Sequence, residues 1–125
     1  MENPFDDLKK RRIQKELKGE ELRHRAEKLD ATVRDVLSQF YEAAYGNNTK
    51  PSIQRTDGID RIDWHLSLDL SRLYSLGLEN KPTSHILTVT LREDYFEVYR
   101  PWHDLVRTKS CAMEELIQCL VETSP

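Results

Sequence analysis

The stretch His85-Ile-Leu-Thr-Val-Thr-Leu-Arg-Glu-Asp-Tyr-Phe-Glu-Val-Tyr-Arg-Pro-Trp102 decides the fold, because apolar and polar residues alternate on both sides of a short charged segment. Alternation with a period of two is typical of half-buried strands, so the stretch predicts a β-hairpin. A turn at Glu93-Asp94 aligns these pairs: Arg92 with Tyr95, Leu91 with Phe96, Thr90 with Glu97, Val89 with Val98, and Thr88 with Tyr99. A four-residue loop over 92–95 keeps the same pairing and agrees equally well with the sequence, because Glu-Asp is not a pair that tight turns prefer.

The two faces of this hairpin have different chemistry. The face predicted to point inward is apolar and consists of Leu87, Val89, Leu91, Phe96 and Val98. The opposite face is polar and consists of Thr88, Thr90, Arg92, Tyr95, Glu97 and Tyr99. An antiparallel sheet commonly packs one face on a core and leaves the other to solvent, so only the inward face has to be covered.

Length and composition favour one soluble domain. The chain has 125 residues, of which 38% are hydrophobic and 33% charged, with a formal net charge of -3. The charge argues against a protein whose whole surface binds nucleic acid, and no apolar run approaches the ~18 residues of a membrane span. Cys111 and Cys119 lie eight positions apart in one predicted helix, too far to form a disulfide. With no apolar signal segment near the start, we expect a cytoplasmic protein that does not act at a membrane.

Residues 4–45 predict a long helix, with Asn3 as its N-cap and Pro4 in its first turn. Apolar residues recur every three or four positions from Leu22 onward, which is typical of a helix that packs on a sheet. Before that point the apolar line is thin, and Gly19 interrupts it. Residues 1–20 are therefore predicted to form a charged helical arm, either separate, kinked, or ordered only on a partner, and residues 21–125 a single α+β domain.

A second hairpin follows at residues 52–70, where Asp57-Gly58 is a strong signal for a two-residue turn. Such a turn pairs Ile53 with Ile62 and sets Arg55 opposite Asp60. Residues 62–70 then alternate between an apolar and a polar face. Residues 72–84 are predicted to be a connection.

The chain is predicted to end in a helix capped by Ser110, after a segment that is either a loop or a short strand at 105–108. The predicted fold is α+β: a four-stranded antiparallel sheet made of two hairpins, with a long N-terminal helix and a C-terminal helix packed on one face.

The strand with Asp63, His65, Ser67 and Asp69 on one side carries the most specific chemical pattern. Alternate strand residues project together, so Asp63, His65 and Asp69 suggest a small metal-dependent or hydrolytic enzyme. A solvated outer face explains the pattern more simply, because no second element supplies a matching group. No glycine-rich loop is present to bind phosphate. We therefore predict no cofactor, no metal and no catalytic residues.

The basic run in the arm is the strongest functional signal. It comprises Lys9, Lys10, Arg11, Arg12, Lys15 and Lys18, which with Glu16 give residues 9–18 a charge of +5, six positive minus one negative. Such a helix suits an acidic protein or a phosphate backbone. A solvated helix with Glu/Lys pairs is the simpler explanation, because residues 1–46 contain ten basic and ten acidic residues.

These observations predict a non-enzymatic binding or adaptor protein that acts through protein–protein interaction. Its predicted contact residues are the six basic residues of the arm together with Tyr95 and Tyr99. Nucleic-acid binding by the basic helix and the enzyme above are the alternatives. The aromatic content of the outer sheet face also predicts a homodimer.

Overall fold

The computed structural model describes residues 3–46, 51–68, 86–100 and 103–123. A long helix precedes a five-stranded antiparallel sheet, in which neighbours along the chain are neighbours in space, and a short helix follows it. The elements are α1 (Asp6–Tyr45), β1 (Ile53–Asp57), β2 (Ile62–Ser67), β3 (Ile86–Leu91), β4 (Phe96–Arg100), β5 (His103–Arg107) and α2 (Met113–Glu122). The α+β class is confirmed, but the prediction of four strands is wrong. The fifth strand, β5, includes most of the segment left open between a loop and a strand.

The central hairpin, β3 with β4, has the register that the sequence predicts. Its cross-strand pairs are Leu91 with Phe96, Thr90 with Glu97, Val89 with Val98, and Thr88 with Tyr99. The amide of Arg92 donates to the carbonyl of Tyr95 at 2.9 Å and closes the loop. The residues predicted to point inward are buried, with Leu87, Val89, Leu91 and Phe96 at 0% exposure. The two ends of the quoted stretch, His85 and residues 101–102, lie outside the described residues, as does the predicted connection.

The first hairpin, β1 with β2, differs from the prediction by four residues. Asp57 pairs with Ile62 and Ile53 with Leu66, so the predicted pairing of Ile53 with Ile62 and of Arg55 with Asp60 is wrong. The chain turns over residues 58–61, where the amide of Gly58 donates to the carbonyl of Arg61 at 2.8 Å. An even shift leaves every side chain on its predicted face.

Helix α1 runs through Gly19 without interruption, so the arm is not a separate helix. Gly19 is the first buried residue of α1, and a Cβ placed there would lie 2.9 Å from the carbonyl oxygen of Ile59. Glycine therefore allows α1 to lie directly against the β1–β2 turn. The helix begins at Asp6 with Phe5 as its N-cap, so the prediction of Asn3 as the N-cap is wrong. The Asn3 side chain instead accepts a hydrogen bond from the Phe5 amide at 3.0 Å, ahead of the helix. The division into an arm of residues 1–20 and a domain of 21–125 stays a prediction about independent stability.

The core lies between the two helices and the inward face of the sheet. Its buried members from α1 recur at helical spacing and are Leu22, Ala26, Val33, Leu37 and Tyr41. Its buried members from β2, β3 and β4 alternate along the strands and include Ile62, Trp64, Leu66, Leu87, Val89, Leu91, Phe96 and Val98. Leu116 and Leu120 complete the core from α2.

A polar cluster joins α1 to the first hairpin. Asp30 accepts hydrogen bonds from Trp64 Nε1 at 2.9 Å and from Arg34 Nε at 3.0 Å. Arg55 lies 3.5 Å from Asp30 and 3.1 Å from Glu27, and its guanidinium stands 6.0 Å from the Trp64 ring. These contacts require Arg55 to lie opposite Trp64, and they explain why the register departs from the one that the turn alone predicts.

Arg100 joins α2 to the rest of the domain. It is 1% exposed, and its Nη2 donates to the Leu120 carbonyl at 2.8 Å. Its guanidinium also lies 5.2 Å from the ring of Phe40 on α1. A cation at the carboxyl end of α2 satisfies carbonyls that have no partner within the helix. The start of α2 differs from the prediction: Ala112 is the N-cap, and Ser110 donates through its amide and hydroxyl to the Glu115 carboxylate at 2.6 and 2.9 Å.

Candidate functional site

The first part of α1 precedes the first buried residue of the helix; from here on the arm means residues 6–18, a shorter segment than the predicted 1–20. Every residue from position 3 to 18 is exposed, and burial begins only at Gly19. The six basic residues predicted to bind a partner are all exposed here: Lys9, Lys10, Arg11, Arg12, Lys15 and Lys18. Arg12 lies 3.7 Å from Glu16, and both side chains are about two-thirds exposed, at 68% and 65%. A pair in that setting stabilises the helix by less than about 1 kcal/mol, so it does not prevent Arg12 from meeting a partner.

The arm also exposes large apolar side chains, which the sequence interpretation did not count as binding residues. The exposed fractions are 62% for Phe5, which immediately precedes the helix, 55% for Leu8, 48% for Ile13 and 54% for Leu17. Single exposed apolar residues are ordinary on protein surfaces. Four within 13 positions, none of them covered by the domain, leave exposed apolar side chains on more than one side of the arm. The signal in the sequence was the thin series of apolar positions before Leu22, which lies in a segment that does not contribute to the core.

The outer face of the sheet is not the solvated surface that the alternation suggests. One row across the sheet contains Asp63, Thr90, Glu97 and Arg107 as successive cross-strand partners. Asp63, Thr90 and Glu97 are buried, at 6%, 7% and 5% exposure. The Thr90 hydroxyl donates to Asp63 at 2.5 Å.

Three arginines cover the carboxylates of this row. Arg61 lies 2.8 Å from Asp63, while Arg92 and Arg107 lie 2.6 and 3.5 Å from Glu97. The hydrogen bond to Glu97 raises the pKa of Arg92 above its ordinary value, although burial acts in the opposite direction. Each buried carboxylate is thus paired with a cation, which is the condition under which burying a charge is tolerated.

The residues of the enzyme hypothesis are only partly accounted for. Asp63 binds Arg61 and Thr90, while Nδ1 of His65 lies 3.2 Å from the hydroxyl of Thr88. Asp69 lies outside the described residues. Within the described ranges, no group of three or more His, Cys, Asp or Glu side chains is arranged to hold a metal ion. Asp63 and His65 share the outer face as predicted, but the Asp63 carboxylate and Nδ1 of His65 already have hydrogen-bond partners.

The other end of the outer face is more apolar. Tyr99 is 46% exposed and Ile86 is 40% exposed, one on each strand of the central hairpin. Tyr95 is partly buried, with the guanidinium of Arg107 at 5.8 Å from its ring. Of the two tyrosines predicted to contact a partner, Tyr99 therefore offers the larger free surface.

The cysteines lie apart from both surfaces. Cys111 is partly exposed and Cys119 is buried, and both are free thiols. Burial raises the pKa of the Cys119 thiol, although the positive charge of Arg100 opposes that effect. A thiol with a raised pKa is a poor nucleophile at neutral pH, so Cys119 serves as part of the core.

Comparison with protein-family models, with characterised proteins and with solved structures gave no match for this chain. None of the helices in the described ranges combines the length and apolar character needed to cross a bilayer. The candidate surfaces therefore have to be interpreted from their own chemistry.

Proposed function

We propose that this protein is a non-enzymatic binding protein whose arm recognises another protein. The observation that carries the proposal is the exposure of every residue from position 3 to 18 on a helix whose later turns are fixed in the core. The arm combines a charge of +5 over residues 9–18 with exposed apolar side chains. A surface of that kind favours a partner with both acidic and apolar groups.

The continuity of α1 supports a binding role for the arm. An isolated helix of about a dozen residues is marginal in water, because its first turn is costly to form. In this chain the arm extends a helix that the core already holds, so the nucleation cost has been met. A partner that binds the arm then loses little affinity to ordering it.

A second contact surface is proposed on the outer face of the sheet, where two copies of the chain would meet through Tyr99 and Ile86. Their exposure supports this proposal, and the paired charges of the neighbouring row avoid repulsion between like surfaces. We propose that the protein is cytoplasmic, because a reducing compartment keeps its two free thiols reduced.

Site-specific photo-cross-linking in cells that make the protein tests the proposed function. Gln14 in the arm and Thr32 in the anchored part of α1 are both exposed and lie 18 positions apart, so they occupy the same side of the helix. We expect a discrete protein adduct from a photoreactive residue at position 14 and none from position 32. Equal adducts from both positions would contradict a binding role for the arm. An adduct that nuclease treatment removes would favour nucleic acid as the partner.

A further inference from the structure

The core-facing side of α1 continues into the arm as a basic stripe. Counting backward from Leu22 in steps of three and four leads to Gly19, Lys15, then Arg12 with Arg11, then Leu8. Residues at this spacing share one side of a helix. We call Leu8, Arg11, Arg12 and Lys15 the stripe. Lys10, Ile13 and Leu17 fall on the opposite side of the arm.

The stripe begins where α1 meets the β1–β2 turn. Gly19 touches the backbone of Ile59, and Lys15 and Leu8 lie about 6 and 16 Å farther along the helix axis at 1.5 Å per residue. The side chain of Ile59 is 73% exposed, the largest exposed fraction among the large hydrophobic residues of the described ranges. An exposed apolar residue thus lies at the inner end of the basic stripe, where the arm meets the β1–β2 turn.

The charges around the stripe and Ile59 distinguish an acidic protein from a nucleic acid as the partner. Three of the four stripe residues are positive, which favours an acidic ligand. Next to Ile59, however, Asp60 is 81% exposed in its side chain, and its distance to Arg92 is 3.8 Å. A phosphate backbone would bring uniform negative charge to this carboxylate and would leave Ile59 without an apolar contact. An acidic protein segment with an apolar end can pair with the basic stripe and also contact Ile59.

The geometry points to a specific ligand for the proposed binding function: an acidic protein segment that lies along the stripe and sets an apolar side chain against Ile59. This inference rests on the proposed function and adds the face of the arm, the charge of the partner and the direction in which it lies. The partner's carboxylates meet Arg11, Arg12 and Lys15, and its apolar end lies nearest the sheet.

Fluorescence anisotropy with a labelled synthetic peptide tests the inference. The probe is a glutamate- and alanine-rich helical peptide of the arm's length with a pair of leucines at one end. A second peptide replaces the leucines with alanine, and a duplex DNA oligonucleotide serves as the phosphate probe. Four variants are compared with the unaltered protein. Two are charge-reversal pairs: Arg11→Glu with Lys15→Glu on the stripe, and Lys9→Glu with Lys10→Glu off it. The other two are single substitutions: Ile59→Ser, and Ile117→Ser as its exposed apolar control.

We expect the stripe pair to weaken binding of the leucine peptide about tenfold and the off-stripe pair less than about threefold. Both pairs make the same change in net charge, so a difference between them reports which side of the helix binds the peptide. Ile59→Ser should remove the advantage of the leucine peptide over the alanine peptide, and Ile117→Ser should keep it. Melting curves confirm that each variant is folded, as exposed positions should allow.

Equal losses from the two charge-reversal pairs would overturn the inference, and so would tighter binding to the oligonucleotide. Failure of the unaltered protein to bind the leucine peptide would also overturn it. In these cases the protein adduct from position 14 still decides the proposed function separately. Position 14 lies off the stripe and position 8 lies on it, so the absence of an adduct from both positions would overturn the proposed function and the inference together.

Discussion

Replacing Asp30 with alanine should cost far more stability than its place on a helix surface suggests. The Asp30 carboxylate accepts the indole N–H of Trp64 at 2.9 Å, and Trp64 is fully buried. Alanine would leave that N–H without its acceptor, at a cost of about 1 to 3 kcal/mol. It would also remove the ion pairs to Arg34 and Arg55, which are partly exposed and together contribute about 1 kcal/mol.

The expected loss is therefore about 2 to 4 kcal/mol in the free energy of unfolding, measured by urea denaturation at pH 7 and 25 °C. Asp35→Ala is the matched control, because Asp35 lies on the same helix and is exposed, with Gln39 as its hydrogen-bond partner. Both substitutions gain the same helix propensity, so their difference isolates the contacts to the sheet. Asp30→Asn keeps an acceptor for Trp64 and should lose less than Asp30→Ala. Equal midpoints for Asp30→Ala and Asp35→Ala would refute the packing of α1 on the first hairpin.

The same carboxylate should make stability depend on pH. Burial by itself would raise the pKa of Asp30, but hydrogen bonds from Trp64 and Arg34 and the charges of Arg34 and Arg55 outweigh it, so the folded pKa is lowered. A lowered folded pKa gives a contribution that is fully present above the unfolded value near 3.9 and is lost as the pH falls through the folded value. The stability difference between the unaltered protein and Asp30→Asn should therefore shrink below about pH 4. A constant difference from pH 7 to pH 3 would contradict this assignment.

Other changes give equally direct outcomes. Val89→Asp should unfold the domain or cost more than about 4 kcal/mol, because it buries an unpaired charge in the core. Thr90→Asp should cost about 1 to 3 kcal/mol in the same denaturation assay, because its neighbours in the row are carboxylates. Alternation alone would place this substitution on a solvent-exposed face, where it would cost little. Gly19→Leu should lower the melting temperature by forcing α1 away from the β1–β2 turn, at about 1 to 3 kcal/mol. Removal of residues 1–18 should leave cooperative melting intact and abolish partner binding, because no described residue there is buried. Light scattering should give twice 14.7 kDa for the unaltered protein and a lower mass for Tyr99→Glu; a monomer in both cases would exclude the dimer.

The central hairpin could be predicted residue by residue because two kinds of information agreed. Apolar residues alternate in both strands, and the turn between them is short, so only one register sets Val89 against Val98 and Leu91 against Phe96. A slip of one residue would expose the apolar set of that strand. The core stripe of α1 from Leu22 onward was predictable for the corresponding reason at helical spacing.

The first hairpin shows where local signals are insufficient. Asp57-Gly58 is a good turn pair, but the contacts of Arg55 with Glu27, Asp30 and Trp64 depend on where α1 lies. Those contacts are between residues that are distant in the chain, so turn chemistry could not reveal them. Strand β5 was uncertain because it lies at an edge and is largely exposed, which leaves little alternation in the sequence.

The buried row on the outer face was missed for a different reason. Alternation assigns Asp63 and Glu97 correctly to the polar face, yet it contains no information about burial within that face. The burial arises because arginines from the β1–β2 turn, the β3–β4 loop and β5 converge on these carboxylates. The Thr90–Asp63 hydrogen bond and the Arg107–Glu97 ion pair cross between strands, so a change of register would break them. The row therefore helps to specify the strand register, in addition to the apolar face.

Helix α1 shows how one periodic pattern can serve two purposes. Its spacing of three and four residues does not change at Gly19, but the side chains on the core-facing side change from Leu22 and Ala26 to Arg12 and Lys15. The helix thus continues past its first buried residue as a basic extension in line with its core stripe. Under the proposed function, the close contact at Gly19 sets the direction in which the stripe faces its partner, because it fixes the position where α1 leaves the sheet.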